Sequence, residues 1–122
     1  MSEYLKFAHA LADASGKLIC KYFRSRMDVE DKLDDSPVTL ADRLAETVIR
    51  EMISKKFPDH DILGEEYGFQ STGSRYKWVL DPIDGTRSFI SGMPIFGTLI
   101  SLLENDVPLF GIIDIPILKE RW

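Results

Sequence analysis

The 122-residue chain has the length of one domain, and its 44% apolar content is enough for a core. A net charge of −5 with no basic stripe argues against a nucleic-acid surface, and no apolar run approaches the ~20 residues of a membrane helix. Met1-Ser2-Glu3-Tyr4 lacks the basic start of a secretory signal, and one cysteine, Cys20, forms no internal disulfide, which fits a cytoplasmic protein.

Residues from about Tyr4 to Arg24 predict an amphipathic helix. Leu5, Ala8, Leu11, Ala12, Ser15, Ile19 and Tyr22 or Phe23 recur at three- and four-residue steps. Cys20 and His9 fall in this helix and read as packing or surface residues. Met27 to Ser36 is polar and acidic and reads as a solvated loop, an edge hairpin or a flap. Thr39 is expected to begin a second helix that runs to about Phe57, with Leu40, Leu44, Val48, Met52 and Phe57 as its buried stripe. Thr39 and Asp42 are spaced as a capping box, and on spacing alone Asp42 reads as structural.

Ile62-Leu63 predicts a short strand that ends at Gly64-Glu65-Glu66, with His60 before it as a surface residue. Adjacent strand residues point to opposite faces, so at most one of Glu65 and Glu66 can point straight at a given ion. Gly68 to Lys77, rich in Ser, Gly and Thr, reads as an exposed loop. Trp78 to Leu80 predicts a buried strand that stops at Asp81, because Pro82 cannot continue a ladder. Asp81 and Asp84 flank the turn, and Gly85-Thr86 can start a short helix. Ile95 to Leu103 predicts a strand with Phe96, Thr98, Ile100 and Leu102 on one face and Leu99 and Leu103 on the other. Glu104-Asn105-Asp106 is turn chemistry, and Val107 to Ile115 returns as the second arm of an antiparallel hairpin. Helices first and strands after them predict an α+β fold, the helices layered on a mostly antiparallel sheet, in one unit over residues 1–122.

Asp81 and Asp84, three apart around the turn, bring like charges together, a conflict that divalent cations remove. Hard cations prefer oxygen ligands, and the absence of clustered Cys or His argues for Mg²⁺ over zinc. A glycosidase pair of carboxylates, ~5 to 9.5 Å apart, is the rival chemistry, but it gives Gly85-Thr86 no role.

Asp81-Pro82-Ile83-Asp84-Gly85-Thr86 resembles the signature of the inositol monophosphatase family. Gly64-Glu65-Glu66 after Ile62-Leu63 resembles that family's other acidic motif, and Pro37-Val38-Thr39-Leu40-Ala41-Asp42 the segment that supplies its water-positioning acid. Arg87 to Pro94 looks most like the histidinol-phosphatase branch.

The resemblance implies a sugar-phosphatase-like α/β sandwich and Mg²⁺-dependent hydrolysis of a phosphate monoester by water activated between two metals. It assigns Glu65, Asp81, the Ile83 carbonyl and Asp84 to the metals. Asp42 and Thr86 would orient the water, with Glu66 as a neighbouring acid of the catalytic group. Glu65, Ile83, Asp84, Gly85 and Thr86 would meet the substrate, and the Gly85 and Thr86 N–H groups would cradle the phosphate. Lys32 is the candidate flap lysine, and Arg87 lies beside the phosphate or on the surface. The implied assembly is a homodimer. Family members are about twice as long, and their second half carries a further metal-binding aspartate with no match here. The chain is therefore expected to be the N-terminal half, incomplete as an enzyme on its own. The alternative is a non-catalytic module of the same fold that serves as a partner surface.

Overall fold

The computed structural model describes residues 2–23 and 37–122. Two helices come first, α1 (Ser2–Tyr22) and α2 (Pro37–Lys56). Strands β1 (Asp61–Gly64), β2 (Gly68–Gln70) and β3 (Tyr76–Asp84) follow, then the short helix α3 (Thr86–Ser91). Strands β4 (Gly97–Glu104), β5 (Val107–Ile115) and β6 (Glu120–Arg121) complete the order. Among the described residues the sheet runs β2-β1-β3-β4-β5-β6. Every described pair is antiparallel except β1 and β3, which run parallel. The layered α+β architecture read from the sequence is the one observed.

Alternation explains how the helices sit. Ile62 lies opposite Trp78, Trp78 opposite Leu102, and Leu80 opposite Ile100, which pairs in turn with Ile112. These side chains share one face of the sheet. They pack against Phe7, Ala8, Leu11 and Ala12 of α1 and Ile49 and Ile53 of α2 as one core. A second core holds Ile19, Ala41, Ala45, Ile83, Phe89 and Phe96. Phe23, Phe89 and Phe96 meet there with ring centroids 5.0 to 5.6 Å apart. This second core lies directly beneath the Asp81–Asp84 stretch.

Several expectations are corrected. Helix α2 starts at Pro37, two residues before Thr39, because the fixed φ of proline suits a first helical position. Thr39 is therefore inside the helix, and the capping-box reading of Asp42 falls. The buried stripe of α2 is Ala41, Ala45, Ile49 and Ile53, one position round from the predicted one; Leu40, Leu44, Val48 and Met52 are half-buried. Alanines on the inner face let the helix approach its neighbours closely. Residues Gly68 to Gln70 form an edge strand on β1, not a loop. The sheet also gains β6, whose Asp114↔Arg121 register with β5 is fixed by an Arg121–Asp114 ion pair at 2.8 Å.

His60, expected at the surface, is buried. It stacks on Phe57 at 4.6 Å, and its Nδ1 accepts the Trp78 indole N–H at 3.0 Å. An indole N–H taken into a core needs such a partner. Burial holds the His60 pKa below its ordinary value, which keeps Nδ1 free to accept. Lys32, the flap candidate, lies outside the described residues.

Candidate active site

Strand β3 does not stop at Asp81. It continues to Asp84 through a register shift, with Asp81 opposite Leu99 and Asp84 opposite Gly97. Three positions apart, Asp81 and Asp84 would face opposite sides of a regular strand. The extra residue breaks that alternation. Pro82 and Ile83 are buried in succession, and Asp84 is exposed. A bulge also accommodates proline, which has no N–H for a ladder. Three contacts fix its shape. The Thr98 hydroxyl, fully buried, donates to the Pro82 carbonyl at 2.7 Å. The Ile83 side chain fills the second core. The Ile83 N–H donates to the Asp42 carboxylate, which ties α2 to the bulge.

Helix α3 begins just beyond. Gly85 caps it in the left-handed region, at φ 96° and ψ 43°. A Cβ there would also stand 3.2 Å from the Phe96 Cα, so space and backbone conformation both call for glycine. The Gly85 carbonyl accepts the Ser88 and Phe89 N–H groups at 3.0 and 3.1 Å. The first N–H groups of the helix have no partner within it. The side chains of Thr86 and Arg87 lie outside the described residues.

Charge accumulates at this point. Asp42 is raised from its ordinary 3.8 to about 7, first by burial, then by the charges of Glu66 and Asp81. Its Oδ1 is buried without a hydrogen-bond partner among the described residues. Asp81 is raised to about 6 by burial, then by Glu65, Asp84, Glu46 and Glu66. The fold thus brings Glu66 and Asp81 within electrostatic reach of Asp42, and Glu65, Asp84 and Glu66 within reach of Asp81. Glu65 and Glu66 are exposed on the turn after β1. Glu65 is the strongest charge on Asp81, and Glu66 the strongest on Asp42. Among the described residues no three of these groups converge closely enough to grip an ion as they stand.

A sixth acid, Glu46, went unmarked in the sequence. It is fully buried on α2, one turn after Asp42 and one turn before Arg50, with which it forms a 2.9 Å ion pair. Glutamate and arginine at that spacing ordinarily signal a solvated helix face. The one hint was the row Asp42, Glu46, Arg50 beside Ala41 and Ala45.

The model of the inositol monophosphatase family matches residues 1–122. The chain belongs to the inositol monophosphatase family. It is 52% identical to the chloroplastic bifunctional phosphatase IMPL2 of Arabidopsis thaliana, covering 100% of this chain and 36% of that protein. It is 46% identical to a histidinol-phosphatase of Chlorobaculum parvum, covering 100% of this chain and 48% of that one. A solved inositol monophosphatase from Zymomonas mobilis superposes with a TM-score of 0.85 at 45% identity, over 99% of this chain and 46% of that one. The chain thus spans less than half the length of these family members.

Proposed function

We propose that the protein carrying this chain is a Mg²⁺-dependent phosphate monoester hydrolase that favours histidinol phosphate over inositol phosphate. The supporting observation is the bulge in β3, where burial and then the charges of neighbouring acids from three segments raise Asp42 and Asp81. The donor set fits Mg²⁺: it is all oxygen, Asp42 Oδ1 lacks a partner, and the acids repel one another. Glu65, Asp81, the Ile83 carbonyl and Asp84 would hold the ions. Bound there, Mg²⁺ would supply Lewis acidity toward the phosphoryl oxygens and lower the pKa of water.

The chain's own residues do the rest. Asp42, held by the Ile83 N–H, presents a carboxylate oxygen to the attacking water, with Thr86 as its partner in orienting it. The Gly85 and Thr86 N–H groups, at the head of α3, receive the phosphate. Burial, and then the charge of Glu66, favours the protonated form of Asp42 in the absence of cations. No covalent phosphoenzyme is required. The preference for histidinol phosphate rests on Arg87 to Pro94 and on the relatives named for that substrate.

The raised pKa values give this reading a signature in stability. Between about pH 4 and pH 7 the folded protein holds protons on Asp42 and Asp81 that the unfolded chain has lost. Their contribution to stability therefore falls as pH rises through that window. Mg²⁺ would offset the repulsion only where the acids are ionised. Added Mg²⁺ is expected to raise the Tm of the full-length protein clearly at pH 8 and little at pH 4.5. A shift of equal size at both pH values would contradict the assignment.

The substrate is tested on the full-length protein by measuring kcat/KM for histidinol phosphate and inositol monophosphate at saturating Mg²⁺. The ratio is expected to exceed about 10 in favour of histidinol phosphate, the discrimination a few pocket contacts supply. A reversed ratio would overturn the substrate alone. Absence of Mg²⁺-dependent phosphate release from both would overturn the enzymatic reading.

A further inference from the structure

We infer that Glu46 is a positioning residue: from within the core it fixes the backbone of the turn that carries Glu65 and Glu66. The inference deepens the proposed function and rests on its reading of those two acids. Glu46 has no exposed surface. Its Oε1 accepts the Glu66 N–H at 2.9 Å, and its Oε2 accepts the Tyr67 N–H at 3.1 Å. Oε2 also accepts Arg50 Nε at 2.9 Å. Arg50 continues the clamp, donating to the Gly68 carbonyl and lying 5.9 Å from the Tyr67 ring centre. The residues after Glu65 are thus held one after another by a single pair on α2.

Gly64 completes the fit. A Cβ there would fall 2.1 Å from Glu46 Oε2 and 2.4 Å from its Cδ, an overlap that would force the hydrogen-bonded Glu46 carboxylate to shift. Its φ is not positive, so the glycine is required by the carboxylate and not by backbone conformation. Glycine and glutamate are one device: β1 opens a notch at its end, and α2 fills the notch with an acceptor for the turn beyond.

A buried carboxylate is costly unless fully hydrogen-bonded, and an apolar residue of like size would spare that cost while leaving two backbone N–H groups unsatisfied. Glu46 also lies near enough to Asp42 and Asp81 for its charge to act on both. The anchored turn and the acids of α2 and β3 therefore share one rigid frame, as an ion site with few protein ligands requires.

The test is Glu46→Gln in the full-length protein. The amide keeps the volume but offers one acceptor oxygen to three donors, so at least one donor must face an NH₂ group. Calorimetric titration with Mg²⁺ is expected to show affinity weakened about 10- to 100-fold, the range for residues that orient ligands. The Mg²⁺ giving half-maximal phosphate release should rise in parallel, while KM for the ester at saturating Mg²⁺ changes little. A lowered Tm with unchanged Mg²⁺ affinity and unchanged kcat per folded molecule would show a purely structural role and overturn the inference. Should Glu46→Gln not fold, Arg50→Met, which removes part of the clamp, is read in the same two assays with a smaller shift expected and the same overturning result. A second pair of variants tests the notch. Gly64→Ala should lower the Tm sharply in the wild type and far less in a Glu46→Ala background, where the methyl group enters vacated space. Equal losses in the two backgrounds would refute the shared device. Wild-type protein that binds no Mg²⁺ would instead sink the functional reading itself, independently of any variant.

Discussion

Asp84→Asn in the full-length protein is expected to lower Mg²⁺-dependent phosphate release by at least about 100-fold, since loss of a ligand should exceed the effect of losing a group that merely orients one. Asp84 ends β3 on the exposed side of the bulge, immediately before the left-handed Gly85. An amide nearly matches the carboxylate in shape, so the bulge contacts through Thr98, Asp42 and Ile83 remain. The charge is what is lost. Asp84 is among the groups that raise Asp81, so the variant should also ease repulsion without cation. Melting in EDTA at pH 8 should accordingly give a Tm equal to or above that of the wild type. Turnover close to wild type would reject Asp84 as a ligand, and a collapsed Tm would assign it to the fold instead.

Trp78→Ala is expected to cost about 3–5 kcal/mol, the range for emptying a buried aromatic site. Trp78 has no exposed surface. It contacts the rings of Phe7 at 5.8 Å and Phe110 at 6.3 Å and donates its indole N–H to His60. Alanine leaves a cavity and takes the donor from a buried acceptor. Trp78→Phe keeps most of the volume and loses the hydrogen bond, so about 1–3 kcal/mol is expected. Urea midpoints of the full-length variants, with m-values checked for constancy, measure both. A loss under about 1 kcal/mol for Trp78→Ala would mean that β3 is not packed as described.

The mechanism joins these two results. Trp78 and Leu80 anchor β3 in the larger core, Ile83 anchors it in the smaller one, and the bulge lies between. Asp81 and Asp84 thus stand on a strand pinned on both sides. That arrangement suits ligands that must hold position against mutual repulsion.

The legibility of the chain differed from element to element. Helix α1 was readable because its apolar residues repeat over many turns. The hairpin of β4 and β5 was readable because Phe96, Thr98, Ile100 and Leu102 alternate without a break. Strands β2 and β6 are three and two residues long, too short to show a period. Trp78 showed as buried, but its partner His60 did not, since a histidine between Asp59 and Asp61 looks solvated.

By itself, the sequence marked the candidate acids, because each acidic motif is local: Asp42 in the Pro37–Asp42 segment, Glu65 and Glu66 after a glycine, Asp81 and Asp84 around a proline. It also determined the order of helices and most strands, since burial of one face imposes a period that composition reveals. Only the tertiary structure decided how the acids relate. The extra residue in β3 turns Ile83 inward and Asp84 outward, and this depends on the register with β4. The buried face of α2 is set by which side chains let it approach the rest of the core, which favours Ala41 and Ala45 over the larger Leu40 and Leu44. The role of Glu46 is the furthest from sequence. Its partners, the N–H groups of Glu66 and Tyr67 and the notch at Gly64, belong to a different element, and a contact between elements leaves no periodic trace in either.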